Sequence, residues 1–274
     1  MENQGSAQQP AQKPAQKLRV LMYHSVSADG LRDGLTVDSE QLEEHFRYLQ
    51  TNGYSTIGLS ELVAFYDRGQ PLPENPVLVT FDDGFLNNYE IAYPLAEKYK
   101  IKINFFLVPA FILIGNYKGQ RCLGPEEIKK MDPSLVEIGL HSFDHRNYAD
   151  LTPVGVEQDL DRCLSAMDGM GILYQPCLAY PYGAYPRRKG HDQDQLFSTL
   201  EKNGIRLAFR IGNRLNRLPL RERFLVQRLD IRGDESMRTF RLSLAYGKRS
   251  TAWLTPFLRK GDHKLHRHPA SLPG

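Results

Sequence analysis

Two neighbouring carboxylates, Asp82 and Asp83, and two histidines four positions apart, His141 and His145, are the side chains whose types and spacing could do chemistry. Two imidazoles and a carboxylate are the donor set of a catalytic divalent-metal centre, which takes three protein ligands and keeps a position open for water. Residues four apart share a helix face, so His141 and His145 are expected side by side on one. Consecutive residues of an extended strand point to opposite sides. Asp82 and Asp83 are therefore expected to divide into one ligand and one base. Taken alone, Asp83-Gly84 is turn chemistry, and His24 with Tyr180, Tyr182 and Tyr185 would be a strand-end histidine and an aromatic core or rim. His263, His266 and His268 also show ligand-like spacing, but in a proline-containing stretch that reads as a solvated tail.

These residues have to be carried by something, and each group follows a short apolar run. His24 follows residues 19–23, Asp82 and Asp83 follow 77–81, His141 follows 136–140, and Tyr182 comes two residues after 177–180. Residues 103–108 and 224–229 are further candidate strands, and 55–57 and 207–209 are weaker ones. Their near-continuous apolar character suits parallel strands covered on both faces. Amphipathic stretches lie between them. Asp38 with Gln41 reads as a capping box opening a helix with Leu42, Phe46 and Leu49 on one face, closed by Gly53. Residues 60–68 before Gly69, 88–98 with Pro94 as a kink, 153–169, and 193–203 before Gly204 read as further helices. Strand–helix alternation predicts an α/β fold, a parallel sheet or barrel. In such folds the carboxyl ends of the strands share one face where catalytic groups gather, and four motifs sit at those ends.

Composition sets the outer bounds. The 274 residues are 41% hydrophobic and 24% charged, ordinary for a soluble globular chain. The longest apolar run, residues 105–114, is 10 residues long and broken by Pro109, against the roughly 20 that a membrane-spanning helix needs. Cys122, Cys163 and Cys177 are scattered and form neither a disulfide framework nor a Cys-based zinc site. The net charge of +3 is uneven: residues 206–249 hold 11 Arg and 1 Lys against 4 acids. Without regular aromatic interleaving, that segment does not read as a nucleic-acid interface. It is expected either to contact an anionic or lipid-linked part of a substrate, or a membrane surface peripherally, or to be a solvated face paired with local acids. Residues 1–17 lack Val, Ile, Leu and aromatic residues and are expected to be a disordered tail. Residues 18–247 are expected to form one catalytic domain and 248–274 a second tail. Residues 1–17 contain no apolar signal core, so the expected location is cytoplasmic if the chain is complete, and exported or anchored if a signal segment was removed.

Residues 80–84 (TFDDG), 141–145 (HSFDH) and 180–183 (YPYG), in this order, resemble the motifs of the NodB-homology polysaccharide deacetylases, carbohydrate esterase family 4. The resemblance runs roughly from Leu18 to Tyr246. The early residues 21–26 (LMYHSV) look like the circularly permuted branch that includes the poly-N-acetylglucosamine deacetylases, whose acid histidine lies near the N-terminus. The resemblance implies an irregular (β/α) barrel in a single domain. It implies a metal-dependent hydrolase, a carbohydrate N-deacetylase, that removes N-acetyl groups from a polysaccharide or lipid-linked sugar and releases acetate. By match to the motifs, Asp83, His141 and His145 are metal ligands, Asp82 the general base, His24 the general acid and the Tyr182 backbone N–H the oxyanion donor. Tyr180 and Tyr185 are expected to contact substrate. The ion is expected to be zinc, with cobalt, nickel or iron also suited to two histidines and a carboxylate. One position departs from the pattern: Ala179 stands where the third motif usually has an arginine, so another group must hold what that arginine orients. The rival reading, a non-catalytic carbohydrate-binding protein that kept the fold, would be expected to have lost a ligand or the base, and all five positions are filled.

Overall fold

The computed structural model describes residues 16–187 and 191–248. Seven strands carry the architecture: β1 (Lys17–Tyr23), β2 (Pro76–Asp83), β3 (Ile103–Leu107), β4 (Val136–Leu140), β5 (Cys177–Ala179), β6 (Leu207–Ile211) and β7 (Val226–Asp230). Each pairs in parallel with the next in chain order, and β7 returns to β1, so the sheet closes into a barrel. β2 and β3 are buried at every position, which is why their sequences run apolar without alternating. Alternation reappears once inside and outside are separated. Leu18, Val20, Leu78, Phe106, Cys177, Ala179, Leu207, Phe209 and Val226 form one cluster, the barrel interior. The intervening residues, among them Leu21, Val79, Phe105, Ile138, Leu178 and Leu229, pack in the cluster shared with the surrounding helices.

Those helices are α1 (Ser39–Thr51), α2 (Leu59–Arg68), α3 (Tyr93–Tyr99), α4 (Pro109–Ile114), α5 (Pro125–Lys130), α6 (Pro153–Gly169), α7 (His191–Lys202) and α8 (Met237–Tyr246). Asp38 caps α1, its side chain accepting from the Gln41 N–H at 2.8 Å. The other half of the expected box is absent: Gln41 Nε2 donates to the Glu235 carbonyl at 3.0 Å, and Gln41 Oε1 has no hydrogen-bond partner among the described residues. Gly69 ends α2 in the left-handed conformation, as expected. The entry of α2 closes the amino end of the barrel: Leu59 and Leu62 join the interior cluster, the Leu59 N–H donates to Asn104 at 3.0 Å, and the Ser60 N–H donates to Glu137 at 2.7 Å. The helix expected over 88–98 is two pieces, a π-helical turn (Asn88–Ala92) and then α3, with Pro94 in the first turn of α3. Lys17 and Lys248, just outside the expected domain of residues 18–247, also take part in the fold: Lys17 pairs with Arg217, and Lys248 bonds Glu235 at 2.7 Å and 2.8 Å. The two expected tails otherwise lie outside the described residues. The amino end being closed by α2, the carboxyl ends of the strands are left to carry the polar groups.

Candidate active site

Asp83 ends β2, and His141 and His145 follow β4. One ligand atom from each lies within 4.8 Å of the others. His145 Nε2 is 3.4 Å and His141 Nε2 is 3.8 Å from Asp83 Oδ1, an oxygen that is buried with no hydrogen-bond partner among the described residues. Burial, and then the charge of Asp82, push the Asp83 carboxyl up from 3.8 to about 7. His141 Nδ1 lies 2.7 Å from the Ala179 carbonyl. That bond places the ring proton on Nδ1 and leaves the Nε2 lone pair facing Asp83. Burial pulls the two imidazoles down to about 4 for His141 and about 3 for His145, so both are neutral near pH 7. An orphaned carboxylate oxygen beside two neutral imidazoles fits a divalent ion with two nitrogen ligands and one oxygen.

Two expectations about this group need correction. His141 and His145 do not share a helix face: residues 141–147 form an irregular loop, in which Ser142 and His145 stand at φ +66° and +61°. Nor do Asp82 and Asp83 point apart. The extended backbone ends at Asp83, whose φ is +70°, and both carboxylates approach the same His141 nitrogen, at 3.7 Å and 3.8 Å.

Asp82 faces the barrel interior. Burial by itself would raise its pKa, but the charges of Arg228, His141 and His24 hold it at about 2. Arg228, on β7, is fully buried and donates from Nη1 to Asp82 Oδ1 at 2.6 Å. This is the residue that sequence reasoning missed. It reaches Asp82 from β7, not from β5, the strand on which Ala179 stands. Its signal was present in the alternation of β7, where Arg228 shares the inward side with Val226. His24 Nε2 lies 4.0 Å from Asp82 Oδ2. Burial lowers the His24 pKa, opposed by Asp82. The carbonyl of His24 accepts from the buried Asn88 amide at 2.8 Å, which fixes the backbone at this point.

The third motif forms a tight turn, Pro181–Gly183, with Tyr182 at φ +60°. Gly183 is obligatory there: its φ is +61°, and a Cβ would meet the Ile211 backbone nitrogen at 2.7 Å. The Tyr182 ring is 60% exposed and stands edge-on to His145 with centroids 4.5 Å apart. Tyr180 and Tyr185, expected to contact substrate, are both buried. Tyr180 is fully buried, with its hydroxyl on the Phe224 carbonyl at 3.2 Å. Tyr185 is buried on the Tyr180 ring and accepts a hydrogen bond from Arg210. Both are wall, not surface. The other wall of the cleft, missed in the sequence, is the hairpin of residues 116–121. Tyr117 stacks on Phe111 with centroids 3.8 Å apart and lies 6.1 Å from the His145 ring, while Gln120 accepts from Ser25, next to His24, at 3.3 Å.

Among known proteins, YxkH of Bacillus subtilis (strain 168), whose name places it with the polysaccharide deacetylases, is 31% identical over 208 residues, 76% of this chain and 68% of that protein. The chain belongs to the polysaccharide deacetylase family. The family's sequence model, described as polysaccharide deacetylase, matches residues 69–198. That stretch holds Asp82, Asp83, His141, His145 and Tyr182 but neither His24 nor Arg228. The poly-beta-1,6-N-acetyl-D-glucosamine N-deacetylase of Staphylococcus aureus (strain MRSA252) is 24% identical over 183 residues, 64% of this chain and 60% of that one. In fold, the deacetylase PplD of Streptococcus pyogenes, solved with acetate, superposes with a TM-score of 0.71 at 17% identity, covering 84% of this chain and 99% of that one. As a polysaccharide deacetylase the chain is a carbohydrate N-deacetylase by class, and its barrel is the one its motifs implied.

The basic segment of this deacetylase is partly answered from within. Arg206 pairs with Asp67, Arg223 with Glu201, Arg232 with Asp234, Lys248 with Glu235 and Arg228 with Asp82, and Arg210 bonds Tyr185 and Gln227. Four of its twelve positive groups, Arg206, Arg223, Arg232 and Lys248, thus pair with acids as the solvated-face reading expects, while Arg228 is fully buried. No helix among the described residues is long and apolar enough to cross a membrane.

Proposed function

We propose that this deacetylase is a divalent-metal-dependent hydrolase that removes the N-acetyl group from an amino sugar of a glycan and releases acetate, with zinc as the ion. The observation that carries the proposal is the convergence of Asp83, His141 and His145 on one point beside an Asp82–Arg228 pair. An ion held by those three residues would supply an acidified water and a Lewis acid for the acetyl carbonyl. The chain supplies the rest. Asp82, kept ionised by Arg228, takes the proton of the attacking water. The Tyr182 backbone N–H donates to the developing oxyanion, an interaction whose removal typically costs about 10²–10³ in rate. His24, whose Nε2 lies 4.0 Å from Asp82 Oδ2, delivers a proton to the departing amine, a contribution of about 10²–10⁴. Arg228 holds one oxygen of Asp82, so the other, Oδ2, is the oxygen that faces His24 and His141.

A glycan is the substrate class that the family membership supports, and a β-1,6-linked N-acetylglucosamine polymer is the first candidate by likeness to the staphylococcal enzyme. Asp82→Asn tests the assignment of the base. Bound metal, measured by elemental analysis, is expected to stay at the unsubstituted level while acetate release falls by at least about 10². Turnover equal to that of the unsubstituted enzyme would remove Asp82 from the mechanism.

A further inference from the structure

The two histidines of the Asp83 group are oriented in different ways. The His141 ring is fixed by its own hydrogen bond to the Ala179 carbonyl. His145 has no such bond among the described residues, since its Nδ1 is buried without a partner. Its direction therefore depends on the backbone that carries it, and that backbone is in a region non-glycine residues avoid, at Ser142 as well as at His145 itself.

What holds this loop is Asp159, a buried carboxylate on α6. Its Oδ1 accepts from Ser142 Oγ at 2.9 Å and from the Phe143 N–H at 3.2 Å, and its Oδ2 accepts from the Tyr148 hydroxyl at 2.7 Å. Ser142 Oγ in turn accepts from the Arg146 N–H at 3.0 Å. The carboxylate thus ties the loop together across Asp144 and His145. One turn further along the same face of α6, Arg162 lies 3.9 Å from the Phe143 ring centroid and 3.5 Å from the Asp144 carboxylate. A carboxylate is costly to bury unless its oxygens are met by donors, and the donors met here belong to the loop and to the residue just beyond it. An apolar residue would fill the same space but could not restrain the loop.

We infer that Asp159 is a positioning residue for His145: it fixes the left-handed turn of residues 142–146 and so sets how tightly the Asp83–His141–His145 group holds a divalent ion. The inference rests on the metal-centre reading proposed above.

The test uses the full chain with Co(II) and Zn(II) as probes, affinity from competition with a chelator, and the visible Co(II) bands as a report on geometry. Asp159→Asn keeps the shape but turns one acceptor oxygen into a donor that faces donors. Its affinity for both ions is expected to fall about 10–100-fold, the usual effect of losing a group behind a metal-bound histidine, with shifted Co(II) bands and an unchanged far-ultraviolet circular dichroism spectrum of the metal-free protein. Ser142→Ala cuts the relay to Arg146 and is expected to weaken affinity in the same direction; it decides the matter if Asp159→Asn fails to fold. Tyr148→Phe removes only the donor beyond the loop, and is expected to lower the melting temperature while leaving affinity and Co(II) bands unchanged. Asp159→Asn and Ser142→Ala proteins that bind both ions with the unsubstituted affinity and spectrum would make Asp159 merely structural and overturn the inference. An unsubstituted chain that binds neither ion would overturn the metal-centre reading itself, and the inference with it.

Discussion

At the residue scale the account turns on Asp82 and the cation that keeps it ionised. Because Asp82 sits near 2 in the fold against 3.8 in an unfolded chain, it contributes stability that is complete above its unfolded value and lost as the pH falls toward 2. Replacing Arg228 with Met removes that support and lets burial win. The acid limb of the pH profile of kcat/KM in the metal-loaded enzyme is then expected to move to higher pH, and stability at neutral pH to drop by about 3–5 kcal/mol, the usual effect of stranding one partner of a buried ion pair. A pH–rate series with a denaturant titration reads both, and an unmoved acid limb would contradict the role given to Arg228. His24→Ala separates the acid from the rest. Acetyl amides need a protonated leaving group and are expected to lose about 10²–10⁴ in rate, while activated acetyl esters, which do not, lose far less; equal losses would contradict the assignment. Asp82, Asp83, His141 and His145, which the fold brings together, could be picked out in the sequence because their motifs are contiguous and follow apolar runs. The pairing of Arg228 with Asp82 could not, since the two lie 146 positions apart and only the closure of β7 onto β1 brings them together.

At the element scale, the site is built from turns in strained conformations at the ends of regular strands. Asp83, Ser142, His145 and Tyr182 all have positive φ, and each lies where a strand gives way to the cleft. The strands themselves were readable from their apolar runs, and the long helices from caps and periodicity, with α6 matching its expected span to the residue. The short helices α4 and α5, at 6 residues each, were not, because they are too short to show a period. The His141–His145 spacing pointed to a helix for the same reason in reverse: spacing carries no information about φ, and a left-handed loop can bring residues four apart together as well as a helix can. Tyr180 and Tyr185 show the same limit, since an aromatic residue near a motif reads alike whether it lines the cleft or backs it. Gly183→Ala tests the turn that carries Tyr182. Positive φ and the close approach of Ile211 are expected to cost about 1–3 kcal/mol, read from urea unfolding, and acetate release should fall with it because the Tyr182 N–H moves. A variant with full stability and full activity would contradict the turn's role.

At the scale of the whole molecule, ion binding and folding are linked through Asp83. Its folded pKa of about 7 lies above its unfolded 3.8, so in the metal-free chain this group favours the fold at low pH, and that contribution is lost as the pH rises toward 7. Binding an ion has to displace that proton. Affinity for Zn(II) is expected to rise about tenfold per pH unit up to about 7 and to level off above it, with His141 and His145 already neutral; affinity independent of pH between about 5 and 8 would contradict the ligand set. At a metal concentration a thousandfold above Kd, the ion adds about 4 kcal/mol of stability, so a chelator is expected to lower the melting temperature by roughly 8–16 °C. The central claim, that this barrel is a metal-dependent N-deacetylase of glycans, is tested most directly by acetate release from β-1,6-linked N-acetylglucosamine oligomers and a panel of other N-acetylated glycans, with chelator and with the metal restored. The account predicts acetate from at least one glycan, abolished by chelator and recovered with Zn(II). Acetate release that is indifferent to the chelator, or metal-loaded protein that releases none from any glycan of the panel, would contradict it.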